Sequence, residues 1–141
     1  MTLDYQLDEL GFLQNPWFHD SGLTGITIKD DVVKLGLKMV DGQQFLLTLS
    51  DTVAFVATDF RLANIIFDIR LSTGTGMTQD RLEALYPSPH QLAAEHFHDA
   101  YREAIDEKRA EILIGKLTLF ELTSSYGCEI VALCREVSVS R

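Results

Sequence analysis

Cysteine, proline and positive charge are all scarce in this chain. Its 141 residues hold two cysteines, three prolines and 12 basic side chains against 21 acidic ones. Carried on one strand, Cys128 and Cys134 would face the same side about 20 Å apart, at about 3.3 Å per residue, and a disulfide needs Cα atoms within about 7 Å. They are expected to be buried free thiols. A zinc site built on them lacks a second ligand pair. The net charge of −9 opposes nucleic acid, which is held by neutralising phosphates with Lys and Arg. No apolar run reaches the roughly 20 residues of a membrane span. Met1-Thr2-Leu3-Asp4 brings neither a basic segment nor the apolar core of a signal peptide, and Asn-x-Ser/Thr is absent, so a cytoplasmic location is expected.

The motifs of common chemistries are missing too. There is no Gly-x-Ser-x-Gly for a serine nucleophile. Gly74-x-Gly76 lacks the Gly-Lys-Ser/Thr of a phosphate loop and the third glycine of a dinucleotide site, and reads as a loop hinge. Cys128 and Cys134 lie in an apolar run, where a thiol is inert for want of an accessible, electropositive setting.

What is present is a pattern of strands around one charged helical stretch. Apolar residues make up 46% of the chain, enough for one domain, 1–141, to bury a core without metals or disulfides. Val33, Leu35, Leu37 and Met39 alternate with Lys34, Gly36 and Lys38; Asp41-Gly42 breaks the run, and Phe45, Leu47 and Leu49 resume it. That is a β-hairpin. Further strands are expected at 23–29, 32–40, 43–50, around Val53–Val56, at 64–71, 115–123 and 128–139. In the fifth of these, Ile65, Phe67, Ile69 and Leu71 are expected to face one way, Asp68 and Arg70 the other. Cys128–Cys134 is apolar on both faces and reads as a strand central in its sheet.

Three helices are expected. Leu3, Leu7 and Leu10 have helical spacing, with Gly11 placed to stop a short helix. A second spans 78–85, ended by Pro87. A long one starts at Ser88-Pro89-His90-Gln91, a capping sequence, and places Ala93, Phe97, Ala100, Tyr101, Ala104 and Ile105 on its core face. The fold class expected is α+β: a mainly antiparallel sheet of five to seven strands with one long amphipathic helix on one face.

The polar constellations yield no metal site. His96 and His98, two residues apart, point about 200° apart on a helix. Glu95-x-x-His98 is half of a di-iron motif whose other half is missing. His19-Asp20 and His98-Asp99 repeat a dipeptide of helical metallohydrolases, but the first copy leads into a strand, where Asp20-Ser21-Gly22 reads as turn chemistry. Two surface features remain. Glu95, Asp99, Glu103 and Asp106 form an acidic helix arc, which as structure is a solvated face and as function offers charge to a basic partner. Trp17 with His19 is the second: a lone tryptophan reads first as a core anchor, and only if exposed does it make a strong anchor in a protein interface.

Trp17-Phe18-His19-Asp20-Ser21 leading into alternating strands resembles small bacterial domains of unknown function that open a strand with His-Asp-Ser or His-Asp-Ala. The likeness covers about the first 70 residues and transfers no functional residue. Some relatives of that type are immunity proteins, so the resemblance implies neutralisation of a toxin by binding. The expected function is therefore a non-catalytic binding protein without cofactor or metal, masking a basic protein through an acidic surface. The alternatives are a small-ligand-binding domain or small enzyme with a pocket between helix and sheet, and a homodimer through a sheet edge.

Overall fold

Turn chemistry sets the first half of the sheet. The structure, a computed structural model, describes residues 1–74 and 79–141; the expected loop residues Thr75 and Gly76 and the expected helix start Thr78 lie outside them. Strands β1 (Thr2–Leu3), β2 (Gln6–Leu7) and β3 (Leu13–Asn15) are followed by β4 (Gly22–Lys29), β5 (Val32–Lys38) and β6 (Gln44–Ser50). Asp30, at φ 55°, turns β4 into β5. Between β5 and β6 the loop is Val40-Asp41-Gly42, closed by Met39 N–H to the Gln43 carbonyl at 2.8 Å. Only Gly42, at φ +93°, takes the left-handed conformation, as in a three-residue hairpin loop rather than a two-residue turn. Inward alternation is as expected: Val33, Leu35, Leu37, Phe45, Leu47 and Leu49 are buried.

The chain continues through β7 (Ala54–Thr58), β8 (Ile65–Ser72), helices α1 (Gln79–Leu85) and α2 (Glu95–Leu113), then β9 (Thr118–Tyr126), β10 (Glu129–Cys134) and β11 (Glu136–Ser140). All but β2 and β3 join one antiparallel sheet, in the order β1-β11-β6-β5-β4-β8-β9-β10-β7. The sheet curls round on itself. β6 runs directly into β7, and β10 into β11, so the two ends of the order are joined by chain. The β6–β11 ladder passes into the β7–β10 ladder through Arg135 N–H to Ser50 O at 3.1 Å and Val53 N–H to Leu133 O at 2.8 Å. The result is barrel-like, with one interior filled by the inner faces of β4, β5, β6 and β8 to β11, together with Leu13 and Phe18.

The weakest joint of this ring lies between β4 and β8, paired only at Gly22 and Ile65. Asn64 fastens it. Its side-chain oxygen accepts from the N–H groups of Arg61 and Cys128 at 2.9 and 3.0 Å, and its amide donates to the carbonyls of Arg61 and Leu23 at 2.8 and 3.3 Å. All four hydrogen-bonding positions of the amide are used, as its burial requires.

The fold class corrects the α+β expectation. Strands take 47% of the structure and helices 18%, so the protein is mostly β, with nine strands in the main sheet rather than five to seven. The N-terminal helix is the plainest reason. Residues 2–15 form short strands, and Gly11, at φ +90°, closes the β2–β3 turn. Asp8 builds that turn by accepting the N–H groups of Leu10 and Phe12 through Oδ1, both at 2.9 Å. The last expected strand is two, broken at Arg135 where the sheet turns its corner. Register shifts in β8 on either side of Ile66 swap the expected faces there: Ile66, Ile69 and Leu71 point inward, and Ile65 and Phe67 are exposed.

The second cluster lies outside the ring. Leu82 of α1 and Ile105 and Ile112 of α2 cover Leu117, Leu119, Val131 and Leu133. β10 therefore buries both faces, as expected, although it stands next to the edge strand β7 rather than at the centre of the sheet. The long helix starts at Glu95, with Ala94 as its cap, six residues later than expected. His90 holds a turn instead: its ring Nδ1 accepts Leu92 N–H at 3.1 Å and its carbonyl accepts Ala93 N–H at 2.8 Å. The helix also seats on a narrower stripe than expected, Tyr101, Ile105 and Ile112, which leaves Phe97, Ala100 and Ala104 exposed.

Candidate partner-binding surface

Phe18 enters the interior and packs edge-on against Phe45, with centroids 5.3 Å apart. Fixing Phe18 leaves its two neighbours outside. The Trp17 ring, 58% exposed, stacks on His19 at 5.1 Å and 14°. His19 meets the edge of Phe67 at 5.4 Å and 71°. His19 Nδ1 lies 2.8 Å from the Phe67 carbonyl, which can only accept, so Nδ1 carries the proton. Nε2 is then turned toward Asp20, 3.6 Å away. Asp20 takes φ 66° and Ser21 N–H bonds the Phe18 carbonyl at 2.9 Å, the turn chemistry expected of Asp20-Ser21-Gly22. His19 is thus fixed by its bond to the Phe67 carbonyl, and the Trp17 ring lies stacked on it.

Trp17 stands between two hollows. One, of about 330 Å³, is lined by Trp17, His19, Ser21, Met39, Val40 and Asp41. The other, of about 380 Å³, lies between Trp17 and the chain ends at Asp4 and Arg141. Val40 is 83% exposed. Among the described residues, Asp4 and Asp41 line these hollows, with Asp20 beside His19, and so does Arg141, whose guanidinium rests over the Phe45 ring at 5.3 Å. The Gln43 backbone N–H and side-chain amide bonded to Asp41 hold its carboxyl below the ordinary 3.8. It carries its charge at neutral pH.

The helix residues Glu95, Asp99, Glu103 and Asp106 are exposed as well. Their field is partly cancelled, because Asp99 pairs with Arg102, and Asp106 with Arg109 at 2.7 Å. Glu95 and Glu103 have no cationic partner among the described residues. The structure does not unite the two expected clusters. The C-terminal end of α2 is tied to the far end of β8 by Gly74 N–H to the Ile112 carbonyl at 2.8 Å. Among the described residues no hydrogen bond, ion pair or ring contact joins the acidic helix residues to Trp17 or His19.

A third group escaped the sequence reading. The outer face of β8 and β9 carries Asp68 opposite Thr123 and Arg70 opposite Glu121. Glu121 is 8% exposed and takes Arg81 of α1, whose Nε lies 3.0 Å from Oε2. With Phe12 these residues line a cavity of about 260 Å³ between helix and sheet. The one available signal was Glu121 itself, a lone charge inside the apolar run Leu117–Leu122.

Cys128 and Cys134 are both buried, free and in the same inner cluster. Burial pushes the Cys134 thiol from 9.0 up to about 12 and raises Cys128 as well. Neither is a nucleophile at neutral pH. Among the described residues no group of three or more His, Cys, Asp or Glu is placed to hold a metal ion, and no helix is long and apolar enough to cross a membrane. Compared with family models, with curated proteins and with solved structures, the chain finds no match.

Proposed function

We propose that this is a non-catalytic binding protein that engages a basic protein partner through the Trp17–His19–Phe67 surface. The observation that carries this reading is the exposed, pre-ordered indole of Trp17. Ordering a side chain on binding opposes association, and a ring already stacked avoids most of that cost. Asp4, Asp20 and Asp41 rim the apolar centre, an arrangement suited to Lys or Arg on the partner and to fast, salt-sensitive encounter. The acidic arc of α2, Glu95 and Glu103 foremost, adds to the long-range field rather than to the contact. An immunity-type protein that covers a basic toxin is the specific form of this reading.

The test is capture and titration of the partner by wild type, Trp17→Ala and the double variant Asp20→Lys/Asp41→Lys. At 58% exposure, about 140 Å² of Trp17 is available for burial, worth about 3.5 kcal/mol at about 25 cal/mol per Å². Trp17→Ala should therefore weaken binding by about 300-fold. Charge reversal should slow association and weaken its salt dependence. Trp17 is the only tryptophan, so its emission should shift to the blue in the complex. A partner that binds Trp17→Ala as well as wild type would refute the proposal.

A further inference from the structure

We infer that the cavity between α1 and the β8–β9 face is a binding site for a small zwitterion, a molecule of the amino-acid class carrying an ammonium and a carboxylate a few bonds apart. It is independent of the aromatic surface. Register builds it: on the outer face of β8, Asp68 and Arg70 stand two residues apart, opposite Thr123 and Glu121 of β9. Helix α1 covers the apolar outer residue Leu119, and its cover ends at the Arg81–Glu121 pair. Beyond that pair the face is open and polar.

Charge balance selects the ligand. Among the described residues, Arg70 and Arg81 contribute two positive groups and Asp68 and Glu121 two negative ones to a single lining. A plain anion would sit against two carboxylates, and a plain cation against two guanidinium groups. A ligand with both signs meets each group with its opposite.

The unpaired groups place the two ends. Asp68 and Arg70 lie about 7 Å apart along the strand, and the described residues contain no ion pair between them and no other partner for the Asp68 carboxylate. Arg70 is held still, with Nε donating to the Leu10 carbonyl at 2.8 Å and its plane over the Phe12 ring at 5.3 Å. Its Nη atoms make no other hydrogen bond among the described residues. An ammonium on Asp68 and a carboxylate on Arg70 span that gap with one hydrogen bond at each end. Thr123, opposite Asp68, supplies a hydroxyl beside the ammonium.

The cavity, about 260 Å³, has room for a single amino acid.

The experiment is an amide-shift titration of the full chain with glycine, L-threonine and L-leucine, each to about 10 mM, a tenfold excess over a millimolar Kd. N-acetyl-L-threonine and L-threonine methyl ester supply the two single-charge forms, and inorganic phosphate the plain anion. Saturable shifts at Arg70, Glu121 and Thr123 are expected with at least one amino acid. Both single-charge forms should bind at least tenfold more weakly, and Asp68→Asn, a surface change that leaves the Arg81–Glu121 pair intact, should weaken the zwitterion about tenfold. Absence of saturable shifts with all three amino acids overturns the inference, as does equal binding of phosphate or of the N-acetyl form.

Discussion

Replacing Cys134 by alanine should flatten the loss of stability that the protein suffers in alkali. Burial pushes this thiol from 9.0 up to about 12, in an interior where its Sγ–H reaches only the Thr118 carbonyl, at 3.9 Å. The raised value means that the folded state keeps a proton which the unfolded state gives up. Stability from this source is complete below about pH 9 and falls as pH rises toward 12. At about 1.4 kcal/mol per pH unit the whole effect is about 4 kcal/mol. At about pH 10 it is only about 1.4 kcal/mol, and there it depends on the unfolded thiol alone so long as the folded one titrates a unit or more higher. Urea unfolding at about pH 8 and about pH 10 should therefore show wild type losing about 1.4 kcal/mol more than Cys134→Ala. Cys128, Tyr86 and Tyr101, also raised by burial, contribute equally to both proteins and cancel. Tyr5, raised first by its own burial, cancels as well, because Cys134 keeps its proton in the folded state at about pH 10 and carries no charge to act on it. Equal losses in the two proteins would refute the reasoning and would return Cys134 to the candidates for a reactive thiol.

Further predictions concern packing and backbone. Leu133→Ala removes a fully buried side chain between β10 and the helices and should cost about 3 kcal/mol, with far-ultraviolet dichroism and Trp17 emission still melting together; separate melting of the two signals would show that the helices unfold alone. Gly127→Ala would place a Cβ 2.5 Å from Asn64 Oδ1 and 3.0 Å from the Ala63 carbonyl at φ +85°, and should cost about 3 kcal/mol. Gly42→Ala, at φ +93° with nothing within 4 Å, should cost only about 1 kcal/mol. Comparable urea midpoints for the two glycine variants would count against the Asn64 joint.

What was legible in the sequence was whatever rests on neighbours along the chain. Alternation and the Asp41-Gly42 dipeptide located β4 to β6, and apolar faces on both sides marked β10. Leu3, Leu7 and Leu10 misled because three leucines at helical spacing also fit short strands joined by a tight turn. Leu7 and Leu10 are in fact exposed. In β8 the register shifts come from pairing with β9, which begins 46 residues after β8 ends, and no local pattern carries that. The same distance hid the cavity, whose four charges come from β8, α1 and β9. Trp17 and His19 could be named from sequence as a contact, but their exposure depends on Phe18 taking the interior place beside Phe45, which is 27 residues further on.

The pairing of Thr2 with Ser140 and Leu3 with Val139 orders events on the ribosome. The β4–β5–β6 meander can zip as soon as it emerges, being built of adjacent segments. Its oily lining of Val33, Leu35, Leu37, Leu47 and Leu49 must then wait for residues 118–140 to roof it. Nascent chains stalled before β9 should be sticky and dependent on chaperones, and maturation should be slow, because the β6–β11 ladder joins residues 46–50 to residues made about 90 positions later.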